Sequence, residues 1–161
     1  MCSSDLLRAS LDTSVAGGRL LLAGRAGRLD GESVQEPWFG AQAATGTAGM
    51  HQHGLYLRWD RGPWRLGLIS GLREQGTPAS ADTVFGDARA RVIDRYHMAD
   101  LEHRHALDED TELTARVFAG SYAFVGDYPI DYPPITLNRD VSVGSWWGAD
   151  RKSTRLNSSH G

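Results

Sequence analysis

Between residues 53 and 73 the chain alternates apolar and polar side chains with a period of two, interrupted once, at Gly62-Pro63. Before the interruption Leu55, Leu57 and Trp59 oppose Tyr56, Arg58 and Asp60; after it Trp64, Leu66, Leu68 and Leu72 oppose Arg65, Gly67, Gly71 and Arg73. A period of two is the side-chain period of a β-strand, and it gathers the bulky apolar groups on one face. Gly-Pro between two such runs supplies a tight reversal. The segment is therefore expected to be a hairpin of 53–60 with 64–73, apolar on one side and polar on the other.

The same grammar recurs along the chain. In 112–125, Leu113, Ala115, Val117 and Ala119 share a parity opposite Thr114, Arg116 and Tyr122, and 7–14 pairs with 19–30, where Leu20, Leu22 and Ala26 share a face. A last strand is expected from Val141. The arm 91–106 is ambiguous, because Ala99–Leu107 is rich in helix formers and Val92, Tyr96 and Ala99 recur at helical spacing. Strand and helix both stay open for 95–107. Tight turns at Val15-Ala16-Gly17-Gly18, Asp60-Arg61-Gly62-Pro63 and Leu107-Asp108-Glu109-Asp110 alternate with long polar loops at 31–52, 74–90 and 126–140. The expected fold is all-β, an antiparallel up-and-down meander of about seven strands. Arms of about ten residues, with short turns on one side and long loops on the other, are the layout of an outer-membrane barrel wall, so the meander is read as a partial, open barrel. Trp59 and Trp64 bracket a tight turn, while Tyr122, Phe124 and Tyr128 sit where a strand enters a long loop, as interfacial girdles would. The same aromatics would equally serve the core of a soluble sandwich.

Composition closes several other routes. The 161 residues carry a formal charge of −3 and 40 % hydrophobic residues, with no basic cluster that would favour nucleic acid. Nineteen glycines and five tryptophans suit strands and turns. The single cysteine, Cys2, excludes an internal disulfide framework and a thiolate metal cluster. No apolar run approaches the ~18 residues of a transmembrane helix. A barrel protein needs a signal peptide, and the opening Met1-Cys2-Ser3-Ser4-Asp5 has neither a basic start nor an apolar stretch, so the true N-terminus is expected to lie upstream. Residues 1–6 and 150–161 read as adapter-like foreign sequence, which leaves 7–149 as the barrel portion.

Candidate chemistry is sparse. His51 and His53 are two apart, as are His103 and His105, with His97 in parity with them; such pairs can grip a divalent metal when a third ligand converges. The two pairs do not fall on adjacent strands, and His51 falls in a loop, so solvated or lumen-facing histidines are expected and no metal site. Asp108-Glu109-Asp110 reads as turn chemistry, without the ligand spacing of a calcium loop. Asp127-Tyr128-Pro129-Ile130-Asp131-Tyr132-Pro133-Pro134 alternates tyrosines and aspartates along a proline-stiffened loop. Asp127, Tyr128, Asp131 and Tyr132 are its candidate ligand-contacting residues, against the alternative of a rigid loop that packs on other loops. Neither a Gly-x-Ser-x-Gly elbow nor a phosphate-binding Gly-x-x-x-x-Gly-Lys loop occurs, so no enzyme and no cofactor are expected.

Two stretches resemble TonB-dependent outer-membrane receptors. One is Arg73-Glu74-Gln75-Gly76-Thr77-Pro78 with Asp82-Thr83-Val84-Phe85-Gly86-Asp87-Ala88-Arg89-Ala90-Arg91-Val92-Ile93-Asp94-Arg95, similar to a loop of that family. The other is Gly126-Asp127-Tyr128-Pro129 with Leu137-Asn138-Arg139-Asp140 and Trp146-Trp147-Gly148, similar to its next loop and strand. The resemblance implies a large barrel around a plug domain in the outer membrane of a Gram-negative cell. It also implies energy-coupled uptake of a scarce nutrient (a siderophore, a cobalamin or a saccharide), with the tight turns periplasmic and the long loops extracellular. Its partners would be outer-membrane lipid, the small-molecule nutrient, and TonB through an N-terminal region not in this sequence. The competing expectations are a soluble all-β ligand-binding module and, behind it, a β enzyme using histidine-bound metal.

Overall fold

The computed structural model describes residues 4–35, 43–78 and 84–155. Every regular element among them is a strand: β1 (Ser4–Val15), β2 (Gly18–Leu29), β3 (Val34–Gln35), β4 (Ala43–Ala44), β5 (Met50–Arg61), β6 (Trp64–Gly76), β7 (Arg91–Ala106), β8 (Thr111–Ile130) and β9 (Thr136–Arg155). Seven of them form one antiparallel sheet in the order β1-β2-β5-β6-β7-β8-β9, and β3 pairs with β4 inside the β2–β5 connection. The sheet is an up-and-down meander that does not close, with β1 and β9 as its two edges.

The tight turns follow from their residues. Ala16 and Gly17 both have positive φ, 50° and 72°, the geometry that matches the twist of a two-residue hairpin. Gly62, at φ 54°, precedes Pro63, whose ring fixes a negative φ, and the pair turns β5 into β6. At 107–110 the Asp110 N–H donates to Asp108 Oδ1 (2.9 Å) and the Leu107 N–H to the Thr111 carbonyl (2.9 Å), so Asp108 acts as a turn residue.

Segment 95–107 is not a helix. β7 hydrogen-bonds on both sides, to β6 and to β8, and its parity sets Ala99 and Leu101 beside Leu68 and Leu66. Two flanking ladders and a matched face outweigh the local helix propensity of a few tenths of a kcal/mol per residue. Three boundaries also move. His51 lies on β5 rather than in a loop, opposite Arg28 and Glu74. β9 begins at Thr136, not at Val141, and the third connection shrinks from 126–140 to 131–135. Both strands continue because Asp127 pairs in register with Arg139 and Pro129 with Leu137, which carries the ladder past the prolines. Parts of the other two long loops, 36–42 and 79–83, lie outside the described residues, as do 1–3 and 156–161; of the two ends expected to be foreign, residues 4–6 and 150–155 extend β1 and β9 in register.

A single sheet has no interior, and the buried side chains gather at one end. Among the described residues Ala44, Pro78, Ala90, Gly126, Asp127 and Pro129 are buried, where the β6–β7 connection folds against the loop end of β8. There the Val84 N–H donates to the Pro129 carbonyl (2.8 Å), the Gly86 N–H to that of Pro78 (2.9 Å), and Gly86, at φ 75°, sits against Ala44. The packed region is thus a cap at the long-loop end of the sheet.

Candidate functional site

Cross-strand partners in a sheet project from the same face, so the register sorts every side chain. One row, Leu11, Leu22, Leu57, Leu68, Ala99, Ala119 and Trp147, crosses all seven strands without a polar group. The next row toward the tight turns holds Leu20, Trp59, Leu66, Leu101, Val117 and Ala149. Toward the long loops the same face carries polar groups, Ser70 with His97 in one row and His53 with Arg95 in the next, and charged and imidazole side chains close it at both ends: Arg61, His103 and Arg151 lie in one row by the turns, and Arg28, His51 and Glu74 in one row by the long loops. Those rows lie ten residues apart along β5, from His51 to Arg61. That is about 33 Å of strand, or about 25 Å of height at a tilt of about 40°. The apolar residues are uncovered: Leu11, Leu55, Leu68, Leu101, Val117, Val143 and Trp147 are all exposed, Trp147 at 83 %.

Aromatics mark the turn-side border of that band. Trp59 lies against Gly18 and donates its Nε1–H to the Val15 carbonyl (3.2 Å), while the Trp64 ring packs 4.2 Å from that of His103. Each has an apolar body and a polar contact at the border, as an interfacial aromatic requires. Tyr122, Phe124 and Tyr128, expected as the opposite girdle, have even parity on β8 and project from the polar face instead. Their side of the strand is set by register, which proximity to a loop does not reveal.

The opposite face is a lattice of ion pairs. Arg58 and Arg65 both bind Asp60 (2.7 and 2.9 Å), Arg65 reaches Glu102 (3.3 Å), and Arg104 binds Glu102 (2.9 Å). Arg116 binds Asp100 (2.6 Å), Arg19 binds Asp12 (2.5 Å), and Arg73 binds Asp94 (2.6 Å), which also accepts the Tyr122 hydroxyl. Glycines on this face are covered by neighbouring side chains: Trp146 over Gly120, Phe118 over Gly148 and Asp100 over Gly67.

Of the four candidate ligand-contacting residues, the structure brings two to the open tip and withdraws one. Asp127 is 2 % exposed on β8 and is clamped by Arg139 (2.6 Å) and Arg91 (3.1 Å), with Arg91 also holding Glu74 (2.8 Å). These four residues form an ionic ladder over β6 to β9 at the loop-side rim. Tyr128 points to the other face and lies over Gly126. Asp131 and Tyr132 are exposed in the 131–135 turn, Tyr132 at 63 %, with the Tyr132 N–H on the Ile130 carbonyl (2.9 Å). Asp127 is thus committed to holding the rim together. In the neighbouring connection, hydrogen bonds from Arg89 hold the Asp87 carboxyl below its ordinary pKa against the opposing effect of burial.

No metal centre forms among the described residues, where no group of three or more histidine, cysteine, aspartate or glutamate side chains converges. His103 and His105 face the same way on β7, 6.3 Å apart, whereas His51 and His53 lie on β5, with β6 between. Ser70 Oγ is 3.0 Å from His97 Nδ1. The pattern missed by sequence reasoning is an open groove of about 630 Å³ on the polar face, lined by Arg8, Ser10, Arg25, Tyr56, Ile69 and Tyr96 among others. Among the described residues no helix is long and apolar enough to cross a membrane. No protein-family model, curated protein or solved structure matches the chain.

Proposed function

We propose that this chain is a wall segment of an outer-membrane β-barrel, with its apolar face toward lipid and its ion-paired face toward an aqueous lumen. The observation that carries the reading is an uncovered face about 25 Å tall between charged rows at its two ends, apolar from β2 to β9 in its two turn-side rows and interrupted toward the long loops by Ser70, His97, His53 and Arg95, backed by an ion-paired face. A soluble sandwich would lay a second sheet on such a band. Together with the resemblance of 73–95 and 126–148 to TonB-dependent receptors, this supports a segment of a transporter for energy-coupled uptake of a scarce small nutrient. The tight turns are then periplasmic, and the long connections, with Asp131 and Tyr132 at one tip, face outward.

Single-tryptophan variants in vesicles containing brominated phosphatidylcholine test the reading. Trp147 and Trp146 are chain neighbours on opposite faces. Bromine quenches Trp147 and spares Trp146 if the apolar face meets lipid. Equal quenching of the two, or a cooperative monomeric fold in plain buffer without lipid or detergent, would refute the wall and favour the soluble binding module.

A further inference from the structure

On the polar face Arg19, Arg58, Arg65, Arg73, Arg104 and Arg116 each hold a carboxylate. Arg8 and Arg25 do not, among the described residues, and they stand directly opposite one another across β1 and β2. Like charges in that position repel and destabilise the pair, a cost that a bound anion removes. Both line the groove of about 630 Å³, a volume in the range of small-molecule sites.

The groove is built for more than a bare charge. Arg25 leans across Gly54, with its Nε 3.3 Å from where a Cβ would stand, and that places the guanidinium over the groove floor. Gly71, the partner of Gly54 on β6, leaves the floor open, its Cβ position meeting nothing nearer than the His53 carbonyl at 3.9 Å. Tyr96 stands in register with Gly71 on the far wall, and Tyr56 and Ile69 pair along the side. Guanidinium donors at one end and aromatic faces at the other match a ring that carries an oxyanion.

We propose that this groove binds a small aromatic oxyanion, its carboxylate or phosphate between Arg8 and Arg25 and its ring against Tyr56 and Tyr96. The inference rests on the barrel-wall reading, which makes this face the lumen. The test uses the full chain refolded in maltoside micelles, which carry no oxyanion, titrated calorimetrically with phenyl phosphate, inorganic phosphate and the neutral phenyl glucoside. Saturable binding is expected for phenyl phosphate, about tenfold tighter than for either control, with about tenfold losses in Arg8→Gln and Arg25→Gln. Arg19→Gln, whose arginine is occupied by Asp12, leaves the affinity unchanged. Gly71→Val fills the floor, keeps both arginines and abolishes binding. Absence of saturation by folded wild-type chain up to about 20 mM overturns the site, as does an equal loss in Arg19→Gln and Arg25→Gln. Bromolipid quenching of Trp147 judges the wall separately, so a quenched Trp147 without phenyl phosphate binding refutes the groove alone.

Discussion

Replacing Leu68 with arginine separates lipid from every other environment for the apolar face. Leu68 and its neighbour Ile69 are nearly equally exposed, 38 % and 41 %, but project from opposite faces. A cost set by lost protein contacts would therefore be the same at both. Leu68 lies in the wholly apolar row, four residues from Trp64, the β6 member of the turn-side row, and six from Glu74 at the loop side. Those separations are about 13 and 20 Å of strand, too far for an arginine stem to carry its head fully out of the hydrocarbon. Leu68→Arg is expected to cost about 3 kcal/mol, roughly 140-fold in the folding equilibrium. Ile69→Arg, facing water and carboxylates, stays within about 0.5 kcal/mol. Leu72→Arg costs about 1 kcal/mol, because it lies two residues from Glu74; the native Arg95 already stands opposite Leu72 at that depth. Reversible guanidinium unfolding in phosphatidylcholine vesicles, followed by tryptophan fluorescence, measures all three. Equal costs at 68 and 69, or equal costs at 68 and 72, would sink the reasoning.

At the rim, Asp127→Ala strands Arg91 and Arg139 and is expected to destabilise by about 2 kcal/mol, below the full value for a buried pair because both arginines are partly exposed. A double-mutant cycle with Arg139→Ala checks it, and additive losses would remove the ladder from the account. Asp87 titrates below its ordinary value because Arg89 bonds its carboxylate, so this pair stabilises the connection above the unfolded pKa and loses that contribution as pH falls through the lowered folded pKa. Arg89→Gln should therefore raise the Asp87 pKa in a carbon-detected NMR titration; an unmoved midpoint refutes the pairing. Gly17→Val places a β-branched residue at φ 72° and should cost about 1–2 kcal/mol with no change in strand content by circular dichroism. A neutral effect on the unfolding midpoint would argue against that turn.

The ends of the hairpins and the sides of the strands were legible because their causes are local. Ala16-Gly17 and Gly62-Pro63 dictate two-residue reversals, and a period of two makes Leu66, Leu68 and Leu72 share a face wherever the strand lies. The two-residue turn even fixes Arg8 opposite Arg25, since hairpin register counts outward from the turn. The sequence alone did not indicate that this pair lacks a carboxylate, because Asp12 is nearer in the chain to Arg8 than to Arg19, the arginine that binds it.

What tertiary structure decided was everything that needs a neighbour from a distant strand. β7 is a strand because β6 and β8 flank it, against the helix propensity of 95–107. Asp127, which sequence placed in an exposed ligand loop, is buried because register brings Arg91 and Arg139 to it. Above all, alternation along a strand determines that an apolar face exists, and only the assembled sheet determines what covers it. Among the described residues no second layer does, since the one additional ladder they form, β3 with β4, sits in a connection at the loop end. Local periodicity is encoded residue by residue, whereas the medium on each face is settled by the whole sheet at once.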